Sequence, residues 1–267
     1  MIYRMKLGFL LFAFFCLTNL FADANMADLA KKLSNPVAAL ISVPIDVAID
    51  EDVGPRTGTL TVDKLQPVIP MELNDDWNVI SRTIISTIYQ DDILGNGLDK
   101  DGLGDILQSF FFSPKEPTSN GWIWGVGPAL LLDTASEDVL GGGKWGAGPT
   151  AVLLKQNKGF TYGLLLNHLW DYAGDSNRDQ LNNTYAQPIL SYTIQKTKTT
   201  FAYNMEYNYD WTKNESTAVN NMMIGQMFKI GNQIMDLKVG ARYWSDESPT
   251  SPKGWGSKAT LTFLFPK

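Results

Sequence analysis

Residues 199–211 alternate with a period of two. Thr199, Phe201, Tyr203, Met205, Tyr207, Tyr209 and Trp211 fall on one side, and Thr200, Ala202, Asn204, Glu206, Asn208 and Asp210 on the other. Successive side chains of a strand point to opposite faces, so this spacing predicts a strand with one face toward an apolar medium. Residues 235–244 repeat it: Met235, Leu237, Val239, Ala241 and Tyr243 oppose Asp236, Lys238, Gly240, Arg242 and Trp244. Near the C-terminus Ala259, Leu261, Phe263 and Phe265 oppose Lys258, Thr260 and Thr262, while Leu264 breaks the rule. In 160–171 the polar face is interrupted by Leu165 and Leu169.

Twelve strand-like segments are predicted, near 38–49, 58–69, 77–90, 103–113, 121–132, 144–156, 160–172, 181–195, 198–211, 217–229, 233–245 and 255–265. The connections at 74–76, 114–120, 157–159, 196–197 and 231–232 are short. Those at 50–57, 90–102, 133–143, 173–180, 212–216 and 246–254 are mostly longer and more polar. Short periplasmic turns and longer outer loops characterise outer-membrane barrels, and an even strand number closes with both termini on one side. A soluble sandwich also alternates. Aromatic residues toward strand ends, such as Trp77 and Tyr89 or Phe160 and Trp170, favour lipid, because barrels carry aromatic girdles at both interfaces. Closure also pairs every backbone polar group, as a bilayer demands. The fold class expected is all-β, an antiparallel transmembrane β-barrel of about 12 strands.

The N-terminus changes the picture of destination. Arg4 and Lys6 precede an apolar run from Leu7 to Leu20, and Ala22-Asp23-Ala24 offers a cleavage site. This is the form of a secretory signal peptide, and the run is short for a membrane span. The division expected is 1–24 signal peptide, 25–36 short periplasmic segment and 37–267 barrel, with the cell outer membrane as destination. Cleavage would remove two basic residues and one acidic one, taking the net charge from −6 to −7, and would remove the one cysteine, Cys16. The mature chain would then have no disulfide and no thiolate. Its acidic balance argues against nucleic acid as a partner. Within 25–33, Met26, Leu29, Ala30 and Leu33 share a helical face, and Asn35-Pro36 would end the helix. It is expected as a solvent-side tether, with a plug in the barrel as the alternative.

Several motifs carry a family resemblance. They are Gln66-Pro67-Val68-Ile69-Pro70, residues 74–82 (Asn-Asp-Asp-Trp-Asn-Val-Ile-Ser-Arg), Gly102-Leu103-Gly104-Asp105, and residues 108–115 (Gln-Ser-Phe-Phe-Phe-Ser-Pro-Lys). Residues 121–128 (Gly-Trp-Ile-Trp-Gly-Val-Gly-Pro), Gly148-Pro149-Thr150 and Gly240-Ala241-Arg242-Tyr243-Trp244 complete them. Over nearly the whole mature chain the sequence resembles the outer-membrane proteins of the MetA-pathway of phenol degradation family. The resemblance implies an outer-membrane barrel for small or aromatic solutes, and it supplies no catalytic residues.

A channel needs a polar lumen. Strand parity places Glu206, Asp210, Asp236, Lys238 and Arg242 on one inward face, with Arg82 and Gln108 as further candidates. Such groups either filter solutes or fill the barrel with ion pairs. His168 is the one histidine, and it shares a face with Leu164, Leu166 and Trp170. That points to an interfacial residue, with a hydrolase carrying a Ser-His pair as the enzymatic alternative. Asp99-Lys100-Asp101-Gly102 begins like a calcium loop, but Phe110 stands where the twelfth-position Glu belongs. Gly141-Gly142-Gly143-Lys144 lacks the spacing of a phosphate loop. No cofactor, metal or catalytic residue is expected. The partners expected are outer-membrane lipid, small-molecule solutes and, through the terminal Phe263 and Phe265, the barrel-assembly machinery. A filled structural or adhesive barrel remains the third alternative.

Overall fold

The computed structural model describes residues 24–54, 56–93, 99–248 and 251–266. The predicted signal segment, apart from Ala24, lies outside them. A helix, α1 (Ala24–Leu33), precedes the strands β1 (Ile41–Val53), β2 (Gly58–Leu65), β3 (Val68–Glu72), β4 (Trp77–Asp91), β5 (Lys100–Leu103), β6 (Ile106–Pro114) and β7 (Trp122–Leu132). Then follow β8 (Lys144–Asn157), β9 (Phe160–Gly174), β10 (Asn182–Ile194), β11 (Thr199–Asp210), β12 (Glu215–Ile230), β13 (Gln233–Asp246) and β14 (Gly254–Phe265). Each barrel strand pairs antiparallel with its sequence neighbours. β14 returns to β1 in register from Ile41 opposite Phe265 to Asp50 opposite Gly256, so the sheet has no free edge.

The fourteen segments make a closed barrel of twelve strands. β2 and β3 form one strand between β1 and β4, interrupted where Pro67 has no N–H to donate. The ladder survives there, because Gln66 donates to the Pro44 carbonyl and Thr83 to that of Pro67. β5 and β6 form another strand on β4, interrupted at Gly104-Asp105. Asp105 has left the ladder to accept the backbone N–H groups of Thr134, Ala135 and Gly142, which pins the 133–143 loop. Among the tight turns, Lys158 and Gly159 both have positive φ (48° and 87°). That backbone matches the twist of flanking hairpin strands, and glycine adopts it without steric cost.

The outward faces are apolar. Ile45, Ile69, Val126, Leu153, Leu164 and Leu190 are all exposed there, a surface that water would not support and lipid does. Two aromatic belts bound it. Trp77 meets Trp124 edge-on at 5.6 Å and Phe160 meets Tyr192 at 4.6 Å near the short turns. Tyr209 meets Trp211 at 4.7 Å and Tyr243 meets Trp255 at 4.9 Å near the longer loops. Among the described residues, no helix is long and apolar enough to cross a membrane; this chain crosses with strands.

The position of α1 corrects the expectation of an external tether. Met26, Leu29 and Ala30 are buried against Met227 and Leu264, both on the lumen face of the wall. From the other side of the mouth Gln156 of β8 donates to the Lys31 carbonyl at 2.7 Å. The helix therefore lies across the short-turn mouth. Leu264, the rule-breaker of the last strand, points inward because this helix gives it an apolar partner. Leu165 has the same explanation: it joins Ile80, Phe111, Val152 and Leu154 in an inward apolar patch that Val37 covers. Gly125 makes room for that cover, since a Cβ there would stand 3.2 Å from a Val37 methyl group. Burying Met26 and Leu29 stabilises the seated helix by roughly 3–6 kcal/mol before ordering costs.

Candidate functional site

Above the helix the barrel holds a cavity of about 600 Å³, within the range of ligand sites. Leu33, Ser34 and Pro36 form its floor. Its walls differ in character. Ile84 of β4, Leu107 of β6, Leu131 of β7, Leu169 of β9 and Ile189 of β10 present aliphatic side chains. Leu169 thus interrupts the polar face of its strand because it belongs to this lining. The opposite wall, from β11 round through β14 and β1 to β2, carries charge.

That charge is joined into one network. Lys258 Nζ stands 3.1 Å from Glu206 Oε1 and 3.9 Å from Asp46 Oδ2, and Lys64 Nζ lies 4.0 Å from Glu206 Oε2. β11, β14 and β2 are not neighbours in the sheet, so these contacts span the lumen. Asn221 donates to both Glu206 and Asn204 at 2.9 Å. Asp46 accepts hydrogen bonds from Thr260 and Gln66, and Gln66 in turn accepts one from Arg82 at 2.9 Å. Nearer the loop end, Arg242 pairs with Asp50 at 3.2 Å and stacks over Trp244 at 5.4 Å. Trp244 itself donates to Asp50 at 2.9 Å. Buried charges such as Glu206, Asp46 and Lys258 persist because each has an opposite partner and at least one hydrogen bond.

Of the residues singled out from sequence, Arg82, Glu206 and Lys238 line the cavity. Arg242 lies above it in the Asp50 pair. Asp236 faces inward below it, 2.6 Å from Lys238 Nζ. Asp210 sits at the loop-end rim, where its carboxylate accepts the N–H groups of Thr212 and Lys213 and shapes the turn. Gln108 is on the other face. The inward residues of β6 are Leu107, Ser109 and Phe111, so the β4–β6 register turns Gln108 outward beside Thr83. There it accepts from Thr83 at 2.6 Å and donates to Ser81 at 3.0 Å, which satisfies a polar side chain on the lipid face.

Asp46, Asp50, Lys64 and Lys258 are the members of the network that the sequence candidates omit. The signal was present: Asp46 and Asp50 alternate with Ile45, Val47 and Ile49 in the first strand, and Lys258 shares its face with Thr260 and Thr262. His168 faces outward. Its Nδ1 lies 2.7 Å from Thr184 Oγ1, its ring is 4.0 Å from Trp170, and Trp211 Nε1 donates to the same threonine. Among the described residues no group of three or more His, Cys, Asp or Glu is placed to hold a metal ion.

No family model and no curated protein matches the chain. Among solved structures, an outer membrane channel from Pseudomonas putida F1 is similar over 85% of this chain and 94% of its own, with a TM-score of 0.63 and 14% identity. Outer membrane phospholipase A from Escherichia coli is similar over 84% of this chain and 92% of its own, with a TM-score of 0.45 and 9% identity. The β domain of a Bordetella autotransporter covers 85% of this chain and all of its own, also at 0.45, with 10% identity. The last two likenesses are too loose to bear on function, and the first concerns the fold. Likeness and lipid-facing surface agree: this chain has the fold of a twelve-stranded outer-membrane β-barrel.

Proposed function

We propose that the protein is an outer-membrane channel for the passive passage of small solutes, apolar or aromatic ones in particular. The observation that carries this is the lumen cavity, in which aliphatic side chains stand among neutral polar ones on one side and a charged network lies on the other. A conduit for hydrophilic solutes alone has no use for Ile84, Leu107, Leu131 and Leu169 facing its interior. Aliphatic surface held against water is costly, at about 25 cal/mol per Å², and an apolar solute relieves that cost. Passage asks for no cofactor and no covalent step. In this reading residues 1–24 are removed on export, and the short turns and α1 face the periplasm. Phe263 and Phe265 serve recognition by the barrel-assembly machinery. The MetA-pathway of phenol degradation family is the grouping whose motifs suit this role.

A second reading has its own observation. The seated α1 and the ion pairs that cross the lumen suit a filled barrel with a structural role. Conductance of the purified, heat-modifiable protein in a planar bilayer separates the two. Discrete steps with Glu206-dependent ion selectivity support the channel. Silence, together with no uptake of apolar solutes into loaded vesicles, would favour the filled barrel.

A further inference from the structure

The cavity's charged wall is almost fully committed. Lys258 and Lys64 share Glu206, Lys258 also faces Asp46, and Lys238 is held by Asp236. Asp105, the remaining carboxylate of the lining, is occupied by three backbone N–H groups of the 133–143 loop. Arg82 is the exception. Its one side-chain hydrogen bond goes to the neutral Gln66 amide oxygen, and among the described residues no carboxylate lies within ion-pair distance of it. A guanidinium carries five donors in a planar fork, so most of its donor capacity is unused.

Its place in the lumen gives that capacity a use. Arg82 lines both the main cavity and the smaller cavity of about 170 Å³ between it and the N-terminal segment, so it stands at the junction of the two. Ile84 follows two residues along the same inward face of β4, and Leu107 is directly opposite Ile84 on β6. A group bound at Arg82 would thus have aliphatic surface beginning roughly 7 Å away along the strand, one full side-chain repeat. The cations Lys64, Arg82, Lys238 and Lys258 are matched in number by the carboxylates Asp46, Asp105, Asp236 and Glu206, but Asp105 is taken up by the loop N–H groups, so Arg82 is left as the cation of the lining without an ion-pair partner among the described residues.

We propose that Arg82 is the docking point for the carboxylate of a small monocarboxylate with an apolar body, which lies along the Ile84–Leu107 side of the lumen. This deepens the channel reading and rests on it for the route by which the solute arrives. The bidentate geometry of guanidinium and carboxylate would fix the polar end, and the aliphatic wall would accept the rest. No bond is made or broken.

The test compares three probes on the purified, heat-modifiable full-length protein. Benzoate has both charge and ring, acetate has the charge alone, and benzylammonium has a ring with the opposite charge. Binding is read by saturation-transfer NMR in detergent, and block of potassium chloride current is read in a planar bilayer. Benzoate is expected to bind about tenfold more tightly than either of the others, with Arg82→Gln removing the preference and Arg82→Lys restoring part of it. Equal binding of benzoate and benzylammonium, or benzoate binding unchanged in Arg82→Gln, would overturn the site. If Arg82→Gln loses heat modifiability, the wild-type ranking of the three probes decides. A protein that binds benzoate through Arg82 but passes no current would keep the site and sink the channel reading. One that conducts without Arg82-dependent binding does the reverse.

Discussion

The two walls of the lumen are built on the same strand geometry and do opposite things. On the β11–β14, β1 and β2 side, side chains reach across the barrel and hold one another, as Lys258 and Lys64 hold Glu206. On the β4–β10 side, Ile84, Leu107, Leu131 and Leu169 lie against the cavity. The difference teaches that charge in a lumen is not by itself a filter. A charged group already tied to two others acts as a strut, and the surface left free to meet a solute here consists of aliphatic side chains set among neutral polar ones such as Ser109, Asn167 and Gln187. Arg82 joins the two, since it ends the polar chain through Gln66 and Asp46 and borders the aliphatic wall.

The largest expected effect comes from the floor both walls share. Deleting residues 25–33 should raise single-channel conductance several-fold, because Met26 and Leu29 no longer occupy the mouth. An unchanged conductance would move the constriction to the loop end. Next comes the charged wall. Glu206→Gln leaves Lys258 and Lys64 without a shared counter-charge in a site where Glu206 is only 14% exposed. A loss of about 3–5 kcal/mol is expected, read from a lowered heat-modification midpoint, together with a shift toward anion selectivity. Adding Lys258→Gln should return part of that stability, and a fully additive loss would show the two are not coupled. On the aliphatic wall Leu107→Ala should cost about 2 kcal/mol, the low end for such a truncation, since its side chain already borders a cavity. It should slow uptake of apolar solutes while leaving potassium chloride conductance the same or higher. Smallest is Gln108→Leu, expected within about 1 kcal/mol of wild type and without effect on selectivity. A change in selectivity would return Gln108 to the lumen.

Much of this was legible along the chain. Alternation in 199–211 and 235–244 located Glu206, Lys238 and Arg242 on the inner face, because a closed barrel preserves parity along each strand. Gln108 stands as a further candidate without a parity argument: its strand is interrupted at Gly104-Asp105, and in isolation Gln108-Ser109 could face either way. The interruption of β2 and β3 was likewise hidden, since Pro67 breaks a strand without ending its pairing. Leu165, Leu169 and Leu264 looked like defects in a polar face. Their partners are Val37, the cavity's aliphatic lining and α1, and none of these long-range neighbours is visible in local periodicity. The inward docking of α1 stands only as the alternative to a tether for the same reason: Met26, Leu29 and Ala30 declare an apolar face without declaring what covers it.

The seam between the first and last strands has a consequence for how the molecule forms. Ile41 pairs with Phe265, so the bonds that close the cylinder join the extremes of the sequence. Contacts this distant carry the largest loop-closure penalty and form slowly. Until they form, β1 and β14 each present an unpaired edge, the state in which strands pair with the wrong partner. Because α1 packs on Met227 and Leu264 on one side of the mouth and accepts a hydrogen bond from Gln156 of β8 on the other, its seat is completed only once the sheet has curled into a cylinder. Protection of residues 26–30 from a protease should therefore appear last in refolding, a chemical signature that the seam is sealed.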